Sequence, residues 1–422
     1  MERDEGSQGG MKFIEILQEF SIPLLLGVVC AMVAANAAPD WYEHALHWQP
    51  FGHVKVFGHA LTFHFLINDL FMIFFFGIAA KEITESCLPG GSLNPMSKAA
   101  TPLMATIGGV VGPVSIFFLG LWLCFQFGVY ELGVDDYDGL SRGWGIPTAT
   151  DIALAWLAAR MVFGRGHPAV AFLLLLAVAD DAIGLGIIAI WYGDAAHPTD
   201  PRYLILVALA MVLAYGLRRA GVKHWIVYVG LAGPLAWSGL VLAHLHPALA
   251  LAVVIPFIPG PLMDTGLFVD QDDVDVLGEE AAETLHLHHS PLHLFEHQTK
   301  LFVDLGLFFF AFSNAGVALA NVGPLTWLIL GSLVVGKTLG VTLFGLLGKV
   351  FGLSLPDGMS VADLIMAGFI AALGLTVALF VAAEAYVDPS LQGQAKMGAL
   401  LSGLVGFVAV ALGRILGFGR KS

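Results

Sequence analysis

Stretches of about twenty apolar residues recur along the whole chain, and that length is what a helix needs to cross a hydrocarbon core of about 30 Å. Twelve such candidates stand at 20–38, 61–83, 99–127, 144–163, 168–193, 202–217, 224–244, 246–262, 300–321, 325–350, 362–385 and 393–416. The seventh and eighth are nearly continuous across 244–247, so counts of eleven and thirteen stay open. Only 12% of the residues are charged and 57% are hydrophobic, against about 25% charged in an ordinary globular chain. That is too little polar surface to coat a soluble globule, so the net charge of −14 belongs to loops. The expected fold is an all-α polytopic membrane protein with about 12 transmembrane helices.

The remaining segments divide accordingly. Residues 1–19 read as a cytoplasmic leader without a cleavage site, 20–416 as the transmembrane domain and 417–422 as a cytoplasmic tail. With both termini inside, fourteen Lys and Arg fall in inner segments and four (Lys55, Arg142, Arg202, Lys396) in outer ones, leaving Lys337 within a span. Cytoplasmic loops carry the basic excess, so orientation and even helix count support each other. Residues 39–63 hold two short β-prone runs around Gly58 and predict an external hairpin. Residues 264–297 predict a cytoplasmic loop with nine acidic groups, five histidines and no Lys or Arg. Cys30, Cys87 and Cys124 lie far apart and suggest neither a metal site nor a disulfide framework.

Ionisable residues at membrane depth cost roughly 2.5–3.5 kcal/mol each even on lenient insertion scales, so they mark candidate functional sites. Asp180 and Asp181 stand in the middle of an apolar run, Asp151 follows Pro147 and Thr150, Lys337 follows Gly336, and Asp69 follows Asn68. Two adjacent carboxylates cannot easily both be ionised in a low-dielectric site, so one should keep its proton unless a cation is near. Such a pair can hold protons or a small hard cation on oxygen ligands, and the two occupancies compete. Pro147 with Thr148–Thr150, and Gly368 with Gly374, predict breaks in the fourth and eleventh spans. Broken ends expose dipoles, which Asp151 could compensate at helix N-termini and Lys337 at C-termini.

The segments 143–153 (Gly-Trp-Gly-Ile-Pro-Thr-Ala-Thr-Asp-Ile-Ala) and 177–184 (Ala-Val-Ala-Asp-Asp-Ala-Ile-Gly) resemble the signatures of NhaA-type Na+/H+ antiporters. The likeness continues, in the family's order, at 67–77, 311–317, 335–340 and 366–376. It implies inverted repeats with discontinuous fourth and eleventh helices, an architecture for which this family is a standing example. It further implies a transporter and not an enzyme. The expected activity is exchange of Na+ or Li+ for protons, electrogenic and pH-regulated, in a bacterial inner membrane. Asp180 and Asp181 match the ion- and proton-binding pair, Thr150 and Asp151 the broken-helix residues, and Lys337 the lysine that pairs with an aspartate. Asp69 matches an accessory acid, and His246, Glu296 and His297 lie near positions tied to pH response. A homodimer with contacts at 39–63 is implied; no cofactor and no nucleic-acid partner is expected. Two departures stand out: Ala79 occupies a position where the family usually has an acid, and the 264–297 loop is longer than usual.

Two other uses of membrane aspartates are weaker. An intramembrane aspartyl protease needs its acids on separate helices in a Gly-x-Gly-Asp context, which Asp180-Asp181 does not provide. A sodium-coupled solute symporter needs a second polar pocket, and no further cluster of membrane polar residues supplies one.

Overall fold

The computed structural model describes residues 21–56, 59–89, 91, 93–94, 96–131, 134–193, 199–260 and 290–419. The expectations for the 1–19 leader, for 264–289 and for 420–422 fall outside these residues. Helices dominate, as the absence of water in a bilayer requires: only an element that satisfies its own backbone groups is tolerated there. In chain order they are α1 (Ile22–Ala37), α2 (Pro39–Leu46), α3 (Phe63–Ser86), α4 (Met96–Gln126), α5 (Tyr137–Thr148), α6 (Ile152–Phe163) and α7 (Pro168–Trp191). There follow α8 (Pro201–Arg219), α9 (Trp225–Leu242), α10 (Pro291–Asn314), α11 (Pro324–Gly348), α12 (Val361–Ile370), α13 (Leu375–Ala385) and α14 (Pro389–Leu416). Six of them begin on proline, whose missing N–H would have had no intrahelical partner there.

Among the described residues seven helices are long and apolar enough to span a membrane, or nine when the bent pairs α5–α6 and α12–α13 each count as one. The bends measure 49° and 48°. Two boundaries differ from the sequence reading. The candidate span 246–262 contains no α-helix among the described residues; it is a chain of turns and 3-10 segments, Pro247–Leu249 and Ile255–Phe257. Pro247, Pro256 and Pro259 supply no N–H, and the bonds that remain are mostly three residues apart, such as Ala250 N–H to the Pro247 carbonyl at 3.0 Å. The candidate at 300–321 is α10, which starts earlier and ends at Asn314. Pro291 opens it and the Ser290 hydroxyl accepts from the His293 N–H at 3.2 Å, so Glu296 and His297 lie on a helix and not in a loop. At 55–60 the described residues hold a two-residue antiparallel ladder, Lys55 opposite Ala60 and Val56 opposite His59.

The chain forms two compact units. One takes Met1–Leu46, Met104–Ala177 and Asp304–Ser422; the other takes His47–Leu103 and Val178–Val303, so α7 passes from the first into the second at Val178. The first unit buries Ala155, Val162, Phe172, Leu176, Leu364, Ile370, Leu373 and Ala409 together. Glycines bring the backbones of α4 and α11 together. A Cβ on Gly340 would collide with the Gly108 carbonyl oxygen, and one on Gly112 with that of Gly336. Lipid tails are as apolar as any core side chain, so small residues that let backbones meet are what hold such helices together. The second unit buries Met72, Phe76, Tyr228, Leu251 and Phe295; a Cβ on Gly77 would meet Phe295 at 3.2 Å and Leu251 at 3.3 Å.

Candidate functional site

In the first unit the two bent pairs meet where each loses its helical hydrogen bonds. After α5, whose last residues Arg142–Thr148 are 3-10, the helix stops, with Ala149 and Asp151 both extended. The Asp151 N–H donates to the Leu373 carbonyl at 2.6 Å, and the Thr150 hydroxyl to the Ala371 carbonyl at 3.0 Å. Backbone groups orphaned by one break are thereby satisfied by the other. The Asp151 carboxylate then serves two helix starts. Its Oδ1 accepts from the Leu154 N–H at 3.1 Å, capping α6. Its Oδ2 accepts from the Thr376 hydroxyl at 2.9 Å and the Thr376 N–H at 3.4 Å, at the start of α13. An anion between two positive dipole ends is the favourable sign.

Opposite charge stands at the other ends. Lys337, fully buried, donates from its ammonium to the Thr150 hydroxyl, which itself binds the carbonyl of Ala371, the residue closing α12. Lys337 ends a π-helical turn, Ser332–Lys337, within α11; Gly336 and Gly340 beside it make the backbone contact with α4 that fixes its height. Thr150, Asp151, Lys337 and Thr376 are all at least nine-tenths buried.

The aspartate pair belongs to α7 and to the second unit. Asp180 and Asp181 sit at the midpoint of this 24-residue helix. Asp180 is 1% exposed and Asp181 partly exposed. Successive helical residues point about 100° apart, so the two carboxylates leave α7 in different directions, and each has its Oδ1 buried. Asp69 occupies a second π-helical turn, Leu66–Phe71 in α3, where the Asn68 amide donates to His64 Nε2 at 3.1 Å. Such turns carry an extra residue without breaking the helix and often occur at functional positions.

The remaining candidates lie elsewhere in the second unit. His246 is buried and its Nδ1 accepts from the Ala248 N–H at 3.2 Å, capping the Pro247–Leu249 turn. Glu296 on α10 grips Lys81 on α3 at 2.5 Å; Glu85 reaches the same ammonium at 2.8 Å and Glu82 at 3.7 Å. His297 is exposed and stacks on His293 with centroids 6.5 Å apart.

The chain matches the Na+/H+ antiporter 1 family over residues 11–414. It belongs to that family. Within the Na+/H+ antiporter 1 family its relatives include three bacterial proteins named Na+/H+ antiporter NhaA. That of Geobacter sulfurreducens is 52% identical over 412 residues, covering 97% of this chain and 99% of the relative. Those of Geobacter metallireducens and Desulfitobacterium hafniense are also 52% identical, covering 96% of this chain and 98% and 96% of their own lengths.

For this antiporter-family chain, the sequence does not single out Thr376 or Ser402, and Lys81, Glu82 and Glu85 stand out only for their altered spacing after Ala79, not as partners of Glu296. Thr376 carried a signal: a hydroxyl residue just after the glycine of a break is placed to bind a capping carboxylate. Ser402, whose hydroxyl accepts from the Gly374 N–H at 3.2 Å, carried none.

Proposed function

We propose that this chain is a secondary active antiporter that exchanges Na+ or Li+ for protons across a membrane. The observation that carries the reading is the Asp180–Asp181 pair, set at the middle of an apolar helix in a chain of the Na+/H+ antiporter 1 family. Each carboxylate holds either a proton or a share of a desolvated cation, so loading one ion displaces the other. The crossing in the first unit keeps two broken helices in register: Asp151 offsets the positive ends, and Lys337 with Thr150 the negative end of α12. A solute symporter gains no support from relatives whose names specify antiport. The test is an imposed Na+ gradient across proteoliposomes containing the purified chain. Internal alkalinisation or acidification that follows the gradient's sign supports the reading; no pH change with Na+ or Li+ rejects it.

The same reading places the chain in a bacterial inner membrane with both termini cytoplasmic, supported by fourteen inner against four outer basic residues. About twelve spans, in two inverted repeats, belong to it as well. The 55–60 ladder is an external hairpin whose open edge pairs with a second copy. Deleting 52–62 should therefore shift the detergent-solubilised chain from dimer to monomer mass, and an unchanged mass contradicts the pairing.

Regulation by pH is assigned to His246, His297 and above all Glu296, whose bridge to Lys81 ties α10 to α3. Glu296→Gln takes from Lys81 the carboxylate that ties it to α10 and leaves it Glu85 and Glu82, so the activity profile against pH should change position. A profile that coincides with the unsubstituted one leaves the bridge a structural tie.

A further inference from the structure

Helix α3 opens at Phe63, where the Thr62 hydroxyl accepts from the Phe65 N–H at 3.1 Å. It then widens into the π-helical turn Leu66–Phe71. His64 stands in the first turn of the helix and Asn68 four residues on, close enough along the helix for their side chains to meet. The Asn68 amide donates to His64 Nε2 at 3.1 Å. Asn68 is 1% exposed and His64 half-buried, so the bond joins a partly accessible imidazole to a buried amide. That bond belongs to one protonation state. A neutral imidazole keeps one bare ring nitrogen that accepts, whereas an imidazolium carries a proton on both and only donates. Protonating His64 therefore breaks the contact or turns the amide until its oxygen faces the ring. Asn68 lies inside the π-turn that also holds Asp69, so the rearrangement falls within that turn. A permanent cation is disfavoured in the first turn of a helix. An imidazole is the side chain whose charge comes and goes between about pH 5 and 8.

Neighbouring elements bring their own titratable groups to this end of α3. The stretch before the helix, tied through the Phe63 N–H to the Trp48 carbonyl at 2.8 Å, carries exposed His47. The hairpin, joined where the Leu61 N–H donates to the Val54 carbonyl at 3.3 Å, carries His53, Lys55 and His59. The Pro247–Leu249 turn packs against the π-turn and is capped by buried His246.

We propose that His64 is a proton-binding site of the second unit, additional to the Asp180–Asp181 pair, and that the Asn68 amide responds to its protonation. Only the effect on transport rests on the antiport reading; proton binding at His64 does not.

The test has two readouts against pH: ring NMR of the purified chain with isotope-labelled histidine in detergent, and Na+-driven proton flux in proteoliposomes. H64Q identifies the His64 signal by its absence. In the unsubstituted chain that signal should titrate between about pH 5 and 8. N68D sets a carboxylate beside the ring, which favours the imidazolium, so the midpoint should rise by about one unit or more. The flux profile of N68D should move to alkaline pH by a similar interval, and H64Q/N68D should not move relative to H64Q. Absence of flux in the unsubstituted chain would reject antiport itself, and the NMR titration then decides the proton site alone. The proposal is overturned by a His64 signal that stays constant over that range, or by an N68D midpoint at the unsubstituted value. It is equally overturned by an N68D flux profile that does not move, or by a shift that persists in H64Q/N68D. If N68D does not fold, H64Q decides: a flux profile that coincides with the unsubstituted one rejects the site, and loss of one titrating limb supports it.

Discussion

Asparagine in place of either Asp180 or Asp181 is expected to reduce Na+-driven proton flux to the level of vesicles without protein. The amide is nearly isosteric, so packing around α7 survives. Removing a carboxylate from a buried position also removes a desolvation penalty, so each variant should be as stable as the unsubstituted chain or more so. What disappears is the chemistry. An amide does not titrate at physiological pH and offers a cation no formal charge. With one acid left, the site has one titratable group and one unit of negative charge fewer with which to release protons and hold a desolvated Na+ in a low-dielectric setting. Asp180, at 1% exposure, and the more accessible Asp181 differ in burial, but transport needs both. Unreduced flux in a folded Asp180→Asn or Asp181→Asn variant would remove that residue from the mechanism.

Asp151 gives the largest expected effect on stability. Its carboxylate accepts from the Leu154 N–H, the Thr376 N–H and the Thr376 hydroxyl. Alanine leaves two helix starts without a cap where no water replaces it. A lost cap costs about 1 kcal/mol and an unsatisfied buried donor about 1–3 kcal/mol, so a loss of roughly 3 kcal/mol is expected for Asp151→Ala. Asparagine keeps an acceptor oxygen in the same place and should lose about half as much. Thermal unfolding in detergent separates the two: a large drop in Tm for Asp151→Ala and a smaller one for Asp151→Asn. Equal drops would mean that charge, and not capping, is what the crossing requires.

Much of this architecture was legible in the apolar windows, because a bilayer imposes one length and one backbone solution. The misreadings occur where local chemistry outweighs hydropathy. Residues 246–262 are as apolar as their neighbours, yet Pro247, Pro256 and Pro259 leave turns where a helix was expected. Starting a span at Lys300 ignored Ser290 and Pro291, a cap and a first helical residue that carry α10 back over Glu296. The crossing was half legible: Pro147 and the hydroxyls beside it announced one break, and Gly374 the other. Which groups meet there was not, since Thr150 and Ala371 are 221 residues apart. The π-helical turns holding Asp69 and Lys337 have no composition of their own; they arise from packing. Ser402 looked like any small residue of a membrane helix until its hydroxyl was found on Gly374.

The claim at the centre of this account is that one aspartate pair serves protons and Na+ in turn. Calorimetric titration of the purified chain in detergent with NaCl, repeated at several pH values, tests it most directly. If each Na+ that binds displaces at least one proton, the Kd for Na+ should weaken about tenfold or more for every unit of pH below the site's own titration, with measurable proton release. Asp180→Asn and Asp181→Asn should abolish both binding and release. Na+ binding of constant affinity across that pH range, with no proton released, would contradict the account.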